Sequence, residues 1–285
     1  MARIIDQNGL RRSWVQRGGL TIPSVILFIT LSTGLTSQLL ATEFRGVRLN
    51  VSDPQAAAEW YCSHLGGTLL PAGPHSEADP GKTRAVSLGK VTLVFVPGDA
   101  QPPIWPVLGS VGSGVDHLGF GFADLDRAME RFAKTGVQIV SGIEKEGPIR
   151  YAFIRDRWGT LIELVEDREL QGFHHIHLAT TDPKATLKWY TSLFGGQVSR
   201  YAGMLPGIRY GDVWVLVKTA KVAPASTEGR AIGRLDWAVT GSQEILERLS
   251  ATKLPHRVTR TAQDAKEIEI AGPDRVQLSI LATDK

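Results

Sequence analysis

The sequence predicts an α+β fold built from four βαβββ modules. The first observation behind this prediction is an internal repeat displaced by 129 residues, as from Asp53 to Asp182. The repeated segments are Val51-Ser52-Asp53-Pro54, Trp60-Tyr61 and Leu65-Gly66-Gly67, which return as Thr180-Thr181-Asp182-Pro183, Trp189-Tyr190 and Phe194-Gly195-Gly196. The second is that strand-like runs lead into amphipathic helices at four places. These runs begin at Gly46, His117, His175 and Leu235.

Local signals place one helix in each module. Asp53-Pro54 predicts an N-cap followed by proline at the first helical position, and Gly66-Gly67 predicts the end of that helix. Asp182-Pro183 repeats the pattern in the third module. In the second and fourth modules, Asp124 and Ser242 precede apolar residues at helical spacing. Short β-rich segments follow the helices, at 90–96, 151–154 with 161–165, 213–218 and 276–281.

Length and composition limit the classes of protein to consider. A chain of 285 residues, 42% of them hydrophobic, is long enough for two domains that each bury a core. The net charge of +3 is spread along the chain rather than collected in runs, which argues against a nucleic-acid partner. Cys62 is the single cysteine, so the chain cannot form an intramolecular disulfide.

Residues 1–41 are typical of a signal peptide or an N-terminal anchor. Four arginines precede an apolar run at 22–40, and Ala41 offers a small residue for cleavage. The segment 11–15 loosely resembles a twin-arginine export motif, so both this route and ordinary secretion are open. Left uncleaved, a run of about 19 mostly apolar residues is long enough to span a bilayer. We expect a periplasmic or secreted protein that contacts a membrane only through an uncleaved leader.

The connections between modules are unequal in length. Residues 97–114 and 219–234 are long and rich in Pro, Gly and Ser, whereas only Glu166 to Phe173 separates the second module from the third. Because paired units that face each other across a groove need a longer connection, we expect the first module to pair with the second and the third with the fourth. The predicted domains are 44–168 (modules 44–96 and 115–168) and 173–285 (modules 173–218 and 234–282). Pairing of the second module with the third is the alternative.

Three motifs carry a resemblance to a known family. They are Val115-Asp116-His117-Leu118-Gly119-Phe120, Trp158-Gly159-Thr160-Leu161-Ile162-Glu163-Leu164 and Phe173-His174-His175-Ile176-His177-Leu178. In their order and spacing, over about residues 44–282, they resemble the vicinal oxygen chelate superfamily of glyoxalase I, bleomycin-resistance proteins and extradiol dioxygenases. The resemblance implies two glyoxalase-like domains whose curved mixed sheets form open grooves.

The resemblance also implies a divalent metal, held by residues of the first and last strands of paired modules. Projected onto this sequence, the first domain offers Gly46, Val94, His117 and Glu163, and the second offers His175, Leu216, Trp237 and Gln277. Since residues two apart on a strand share a face, His177 would accompany His175, and Arg48 and Asn50 would accompany Gly46. If modules two and three formed the groove, His117, Glu163 and His175 would complete a His-His-carboxylate triad.

The remaining candidates concern substrate binding and the core. Arg48, Asn50, Arg150 and Arg209 are candidate ligands of an anionic group, and Trp237 is a candidate apolar wall. His117 and Glu163 could instead form a hydrogen-bonded pair without a metal. His174 is expected on the opposite face of its strand from His175. Other tryptophans are expected in the core, namely Trp60, Trp158 and Trp189.

Two functions follow as competing hypotheses. The first is a metal-dependent lyase, isomerase or ring-cleaving dioxygenase-like enzyme, in which Fe, Mn, Zn, Ni or Co polarises a substrate oxygen and Glu163 with His117 carries the catalysis. The second is a metal-free protein that sequesters a small molecule, because apolar residues stand at several projected ligand positions. Both imply a small-molecule partner, and the chain could form a homodimer. A purely structural role is a third reading.

Overall fold

The computed structural model describes residues 41–71, 82–98, 109–260 and 265–284. Apart from Ala41, the predicted leader lies outside the described residues. The described residues belong to one compact unit. No helix within them is both long enough and apolar enough to cross a membrane.

The four βαβββ modules are present. The helices are α1 (Pro54–Leu65), α2 (Leu125–Ala133), α3 (Pro183–Phe194) and α4 (Ser242–Thr252). The strands of the first two modules are β1 (Ala41–Val51), β2 (Thr68–Leu69), β3 (Arg84–Leu88), β4 (Val91–Pro97), β5 (Val115–Phe122), β6 (Gln138–Glu146), β7 (Ile149–Arg155) and β8 (Leu161–Glu166). Those of the last two are β9 (Gly172–Thr180), β10 (Gln197–Tyr201), β11 (Leu205–Tyr210), β12 (Val213–Thr219), β13 (Ile232–Thr240), β14 (His256–Arg260), β15 (Lys266–Ala271) and β16 (Gln277–Thr283).

Three of the four predicted helix caps are confirmed. The carboxylates of Asp53, Asp124 and Asp182 accept hydrogen bonds from backbone N–H groups in the first turns of α1, α2 and α3. Ser242 is instead the first residue of α4, and Gly241 takes the cap position at a φ of 112°. Because glycine has no side chain to cap the helix, another residue supplies the acceptor: Asp284 accepts a bond from the Ser242 N–H at 2.9 Å.

The strands form two open eight-stranded mixed sheets. The first has the order β14-β15-β16-β13-β1-β4-β3-β2, and the second has the order β10-β11-β12-β9-β5-β8-β7-β6. The first module therefore pairs with the fourth, and the second with the third. This corrects the pairing that we expected from connection lengths, and the predicted boundaries 44–168 and 173–285 do not coincide with the two sheets.

The geometry around β5 explains the correction. β8 lies parallel to β5 on one side, and β9 lies antiparallel to it on the other. The end of β8 and the start of β9 therefore meet at the same edge, about 10 Å or two strand spacings apart. The short segment between Glu166 and Gly172 spans this distance within one sheet, whereas the long connections carry the chain from one sheet to the other. A connection's length does not say which sheet receives the next strand.

Apolar side chains from both sheets and all four helices share one core. Trp60 and Trp158 are buried in it as predicted, and Trp189 packs against it partly exposed. Leu118, Ile162 and Ile176 point from the central strands of the second sheet into this core. Because strand residues alternate between faces, the neighbouring polar residues of these strands point to the opposite face.

Candidate metal centre

Four buried donor groups meet on the face of the second sheet opposite the core. His117 comes from β5, Glu163 from β8, and His175 and His177 from β9. One ligand atom from each lies within 4.8 Å of all the others. Each of the four residues is less than 10% exposed, with Glu163 and His177 the most accessible at 7% each.

Strand register brings the four residues together. His117 pairs directly with His177, and Gly119 pairs with His175 on one side and with Glu163 on the other. A Cβ atom at Gly119 would lie 2.0 Å from Cε1 of the His175 ring. The missing side chain therefore makes the space that the His175 ring occupies.

Two β-bulges between β5 and β9 add further polar groups. The register shifts between Val115 and His117, and again between Gly119 and Phe120. Asp116 on β5 and His174 on β9 are the extra residues. A bulge breaks the alternation of faces, and each extra residue contacts its neighbouring histidine. His174 thus lies beside His175, which corrects the expectation that it faces the other way.

The cluster is linked by short hydrogen bonds. The ring of His117 donates to Oδ1 of Asp116 and to Oε2 of Glu163, both at 2.8 Å. Nδ1 of His177 lies 3.1 Å from Nε2 of His117. Nε2 of His175 lies 3.3 Å from Oε2 of Glu163. Each of the four side chains therefore has a nitrogen or oxygen atom within 3.3 Å of one on another member of the cluster.

Two imidazole nitrogens in the cluster have no hydrogen-bond partner. They are Nε2 of His175 and Nε2 of His177, and both are buried. Burial of a polar atom without a partner costs about 1–3 kcal/mol. Such atoms are available to bind an ion.

Burial and mutual charge perturb the pKa values of these groups in opposite directions. Burial lowers the pKa of His175, and burial together with the charge of His117 lowers that of His177 well below its usual range. Burial would also lower the pKa of His117, but hydrogen bonds to Asp116 and Glu163 outweigh it and raise that pKa. Burial would raise the pKa of Glu163, yet the electrostatic influence of His175 and the hydrogen bond and charge of His117 hold that pKa well below its usual range.

Aromatic side chains flank the cluster on both sides. Phe153 on β7 pairs with Glu163, and its ring lies 5.2 Å from that of His117. Trp214 on β12 pairs with His175 from the other side. Directly paired residues share a face of the sheet, so Phe153 and Trp214 form opposite walls. Arg209 pairs with Trp214, and its guanidinium lies 5.9 Å from the indole ring.

An exposed cation lies next to the cluster. Lys218 on β12 places Nζ 2.7 Å from Oδ1 of Asp116, while much of its side chain stays accessible. The Asp116 carboxylate therefore contacts both His117 and Lys218. Lys218 and Arg209 thus place two cationic side chains near the site, each beside a carboxylate, Asp116 and Asp212 respectively.

The first sheet has the same bulged register but no such cluster among its described residues. Phe44 pairs with Trp237 and Gly46 with Asp236, as Phe173 pairs with Phe120 and His175 with Gly119. The positions equivalent to the cluster carry Arg234 for His117, Ser279 for Glu163, Gly46 for His175 and Arg48 for His177. The guanidinium of Arg234 pairs with three carboxylates, those of Asp236, Glu267 and Glu269. An ion-pair network occupies this face in place of metal ligands.

Several predicted site residues lie elsewhere. Trp237 is 1% exposed and stacks on Phe194 with ring centroids 4.2 Å apart, because alternation along β13 puts it on the core side with Leu235 and Val239. Gln277 lies near Ser226, with Nε2 3.5 Å from the serine hydroxyl. Neither residue contributes to the cluster.

Three further candidates also lie outside the cluster. The amide of Asn50 donates to the Arg230 carbonyl at 2.6 Å and joins β1 to the connection before β13. Arg150 pairs with Asp126 and Glu166. Arg48 lies in the first sheet, where it pairs with Arg234 across β1 and β13. Of the five predicted substrate-binding residues, Arg209 is the one that shares a sheet face with the cluster.

Sequence reasoning missed Asp116, His174 as a partner of His175, and the wall residues Phe153 and Trp214. Asp116 and His174 stand next to ligand-type histidines in the sequence, which was the available signal. Strict alternation along a strand assigned His174 to the wrong face, because bulges are not visible in the sequence.

Comparison with known proteins agrees with this architecture. Residues 44–164 match the family model of the Glyoxalase/Bleomycin resistance protein/Dioxygenase superfamily. The first two modules therefore match this superfamily, and the chain as a whole has a glyoxalase-like fold. Members are often metal-dependent. No functionally curated protein matches the sequence.

Two solved structures share the fold over most of the chain. Glyoxalase I from Zea mays superimposes with a TM-score of 0.65 at 16% identity, over 85% of this chain and 93% of that one. A Bacillus subtilis protein provisionally assigned as a dioxygenase gives a TM-score of 0.64 at 16% identity, over 85% of this chain and 86% of that one. At these identities the likeness shows the fold alone.

Proposed function

We propose that this protein is a divalent-metal-dependent enzyme whose ion is held by His117, Glu163 and His175, with His177 as a fourth donor. The single observation that carries the proposal is the buried cluster in which two imidazole nitrogens have no partner. A buried polar cluster left unsatisfied is costly. An ion bound within the cluster would give the Nε2 of His175 a partner, and His177 could offer a ring nitrogen to the same ion.

The donor set and its spacing suit a divalent transition metal. Two ligands of one ion lie at most about 4.4 Å apart, twice a bond of about 2.2 Å. The ligand atoms of the cluster, which lie up to 4.8 Å apart, therefore need to move by only about 0.4 Å to bind one ion. Imidazole and carboxylate ligands suit Fe, Mn, Zn, Ni or Co, and two histidines with one carboxylate leave other positions open.

A metal bound here would act as a Lewis acid on a substrate oxygen. Glu163 is the carboxylate of the cluster and, at 7% exposed, is as accessible as any of its four members. It is thus the residue placed to accept a proton from a bound substrate. Phe153 and Trp214 exclude water on both sides and favour a flat substrate. These features support a lyase, an isomerase or a ring-cleaving enzyme acting on an oxygen-rich or aromatic molecule.

The decisive experiment is elemental analysis of the purified native protein. About one equivalent of Fe, Mn, Ni, Co or Zn per chain is expected, with loss of the metal in His117→Ala and Glu163→Ala. His256→Ala is the matched control, because His256 is exposed and remote in the fold on β14. A native protein without stoichiometric metal, and with no affinity for added ions, would contradict the proposal.

A metal-free binding protein is the second candidate. The hydrogen bonds from His117 to Asp116 and Glu163 favour it, because they satisfy that ring without an ion. On this proposal, small aromatic ligands bind equally well before and after chelation, and His117→Ala changes their affinity only a few fold. A strong loss of binding on chelation would exclude it.

The arginine-rich, apolar leader supports the proposal that the protein acts outside the cytoplasm. Cell fractionation with sequencing of the mature N-terminus tests this placement. Recovery of the full-length chain in the cytoplasmic fraction would refute it.

A further inference from the structure

A chain of polar groups extends from His175 away from the cluster. Nδ1 of His175 lies 2.8 Å from Nδ1 of His174. Nε2 of His174 lies 3.3 Å from Oδ2 of Asp167, and the Tyr201 hydroxyl donates to the same oxygen at 3.1 Å. The His174 ring is fully buried and packs edge-on against Tyr201, with centroids 4.8 Å apart.

The space for this chain is built into the sheet. A Cβ atom at Gly121 would lie 1.8 Å from the Leu170 carbonyl and 3.3 Å from Cδ2 of His174. Together with Gly119, this glycine leaves the face of β5 open where the two imidazoles lie. An apolar residue in place of His174 would avoid the cost of burying two ring nitrogens. Packing alone therefore does not explain a buried imidazole at this position.

The hydrogen bonds among Asp167, His174 and His175 fix which ring nitrogen of each histidine carries the proton. Asp167 accepts backbone N–H groups from Glu169 and Leu170 at 2.8 and 2.9 Å, besides the Tyr201 hydroxyl, so its carboxylate acts as an acceptor. His174 must then carry a proton on Nε2, which leaves a lone pair on Nδ1. That lone pair accepts the Nδ1–H of His175. The reverse order would set the Nε2 lone pair of His174 against the Asp167 carboxylate, although this contact has hydrogen-bond geometry. It would also place the His175 proton on Nε2, whose 3.3 Å contact with Oε2 of Glu163 does not have the geometry of a hydrogen bond.

We infer that Asp167, acting through His174, is a positioning group that holds the His175 proton on Nδ1 and so presents its Nε2 lone pair to the metal. This inference rests on the proposed function in one respect, namely that the lone pair serves to bind the proposed metal. Nε2 of His175 has no hydrogen-bond partner, although it lies 3.3 Å from Oε2 of Glu163. His117 has a simpler equivalent, because Asp116 accepts directly from its Nδ1. Outer partners of this kind orient a ligand imidazole and fix its tautomer.

Long-range ¹H–¹⁵N correlation spectra of the metal-free full chain test the inference, because they distinguish histidine tautomers. In the wild type, His175 is expected as the Nδ1–H form and His174 as the Nε2–H form. His174→Phe keeps an aromatic ring but removes the acceptor, and Asp167→Asn removes the charge at a half-buried position that tolerates an amide. Both variants should move His175 to a mixed or Nε2–H form. His256→Phe is the control and should change neither histidine.

Metal affinity is the second readout. Titration with Co²⁺ alone should show a loss of about 10- to 100-fold in His174→Phe and Asp167→Asn, with the control unchanged. An Nε2–H His175 in the wild type, or an unchanged Nδ1–H form in both variants, would overturn the inference whatever the metal result. If no ion binds the wild type but the tautomer still shifts in the variants, the positioning is upheld and the proposed metal function fails.

Discussion

Replacing Gly119 by alanine tests whether the shape of the sheet sets the metal site. The new Cβ would lie 2.0 Å from Cε1 and 2.1 Å from Nδ1 of His175, where ordinary contacts begin at 3.4 Å. The ring must therefore move by the difference between 3.4 and 2.0 Å, about 1.4 Å. Metal–ligand bonds tolerate deviations of only about 0.2 Å. His175 can no longer serve as a ligand at its present place.

The expected cost is a loss of metal affinity of at least about 10- to 100-fold, or about 1.4–2.8 kcal/mol. Co²⁺ titration calorimetry measures the affinity, and circular dichroism checks that the variant is folded. Gly142→Ala on β6 is the matched control, because no atom lies within 4 Å of its Cβ position. A folded Gly119→Ala protein with the affinity of the wild type would refute the reasoning.

Three other outcomes are expected. Tyr61→Phe should destabilise the fold by about 1–3 kcal/mol in urea unfolding, because it removes the 2.9 Å hydrogen bond to buried Asp156. Tyr190→Phe is the control and should not destabilise it, because the buried Tyr190 hydroxyl lacks a hydrogen-bond partner. Equal losses of stability in the two variants would contradict this prediction. Because the pKa of His117 is raised, an ion must displace the proton of its ring. Co²⁺ affinity should therefore be full above that pKa and fall about tenfold per pH unit below it. Constant affinity from about pH 5 to pH 9 would count against His117 as a ligand. Arg234→Ala should cost about 1 kcal/mol of stability, because it removes the guanidinium that three carboxylates share in a partly exposed site, although Glu269 keeps its pair with Arg257. Metal affinity should stay unchanged, and a loss of affinity would contradict the placement of the ion at the cluster.

The sequence predicted the local features of the fold well. Caps and glycine stops set the helix bounds because they act within one turn of the chain. The 129-residue repeat correctly aligned Gly46 and Arg48 with His175 and His177, as the equivalent strand registers show. The metal-ligand residue types in β5, β8 and β9 were also visible as motifs.

Only the tertiary structure decided which of these residues meet. Module pairing depends on which sheet each connection enters, and connection length does not encode that, so the cluster of His117, Glu163 and His175 appeared only as the less favoured arrangement. Bulges are set by strand register across β5 and β9, and they brought Asp116 and His174 to the site. The sequence by itself determined the modules and the donor types, because both are local. The site itself arises from long-range pairing, in which residues 46 to 60 positions apart become neighbours.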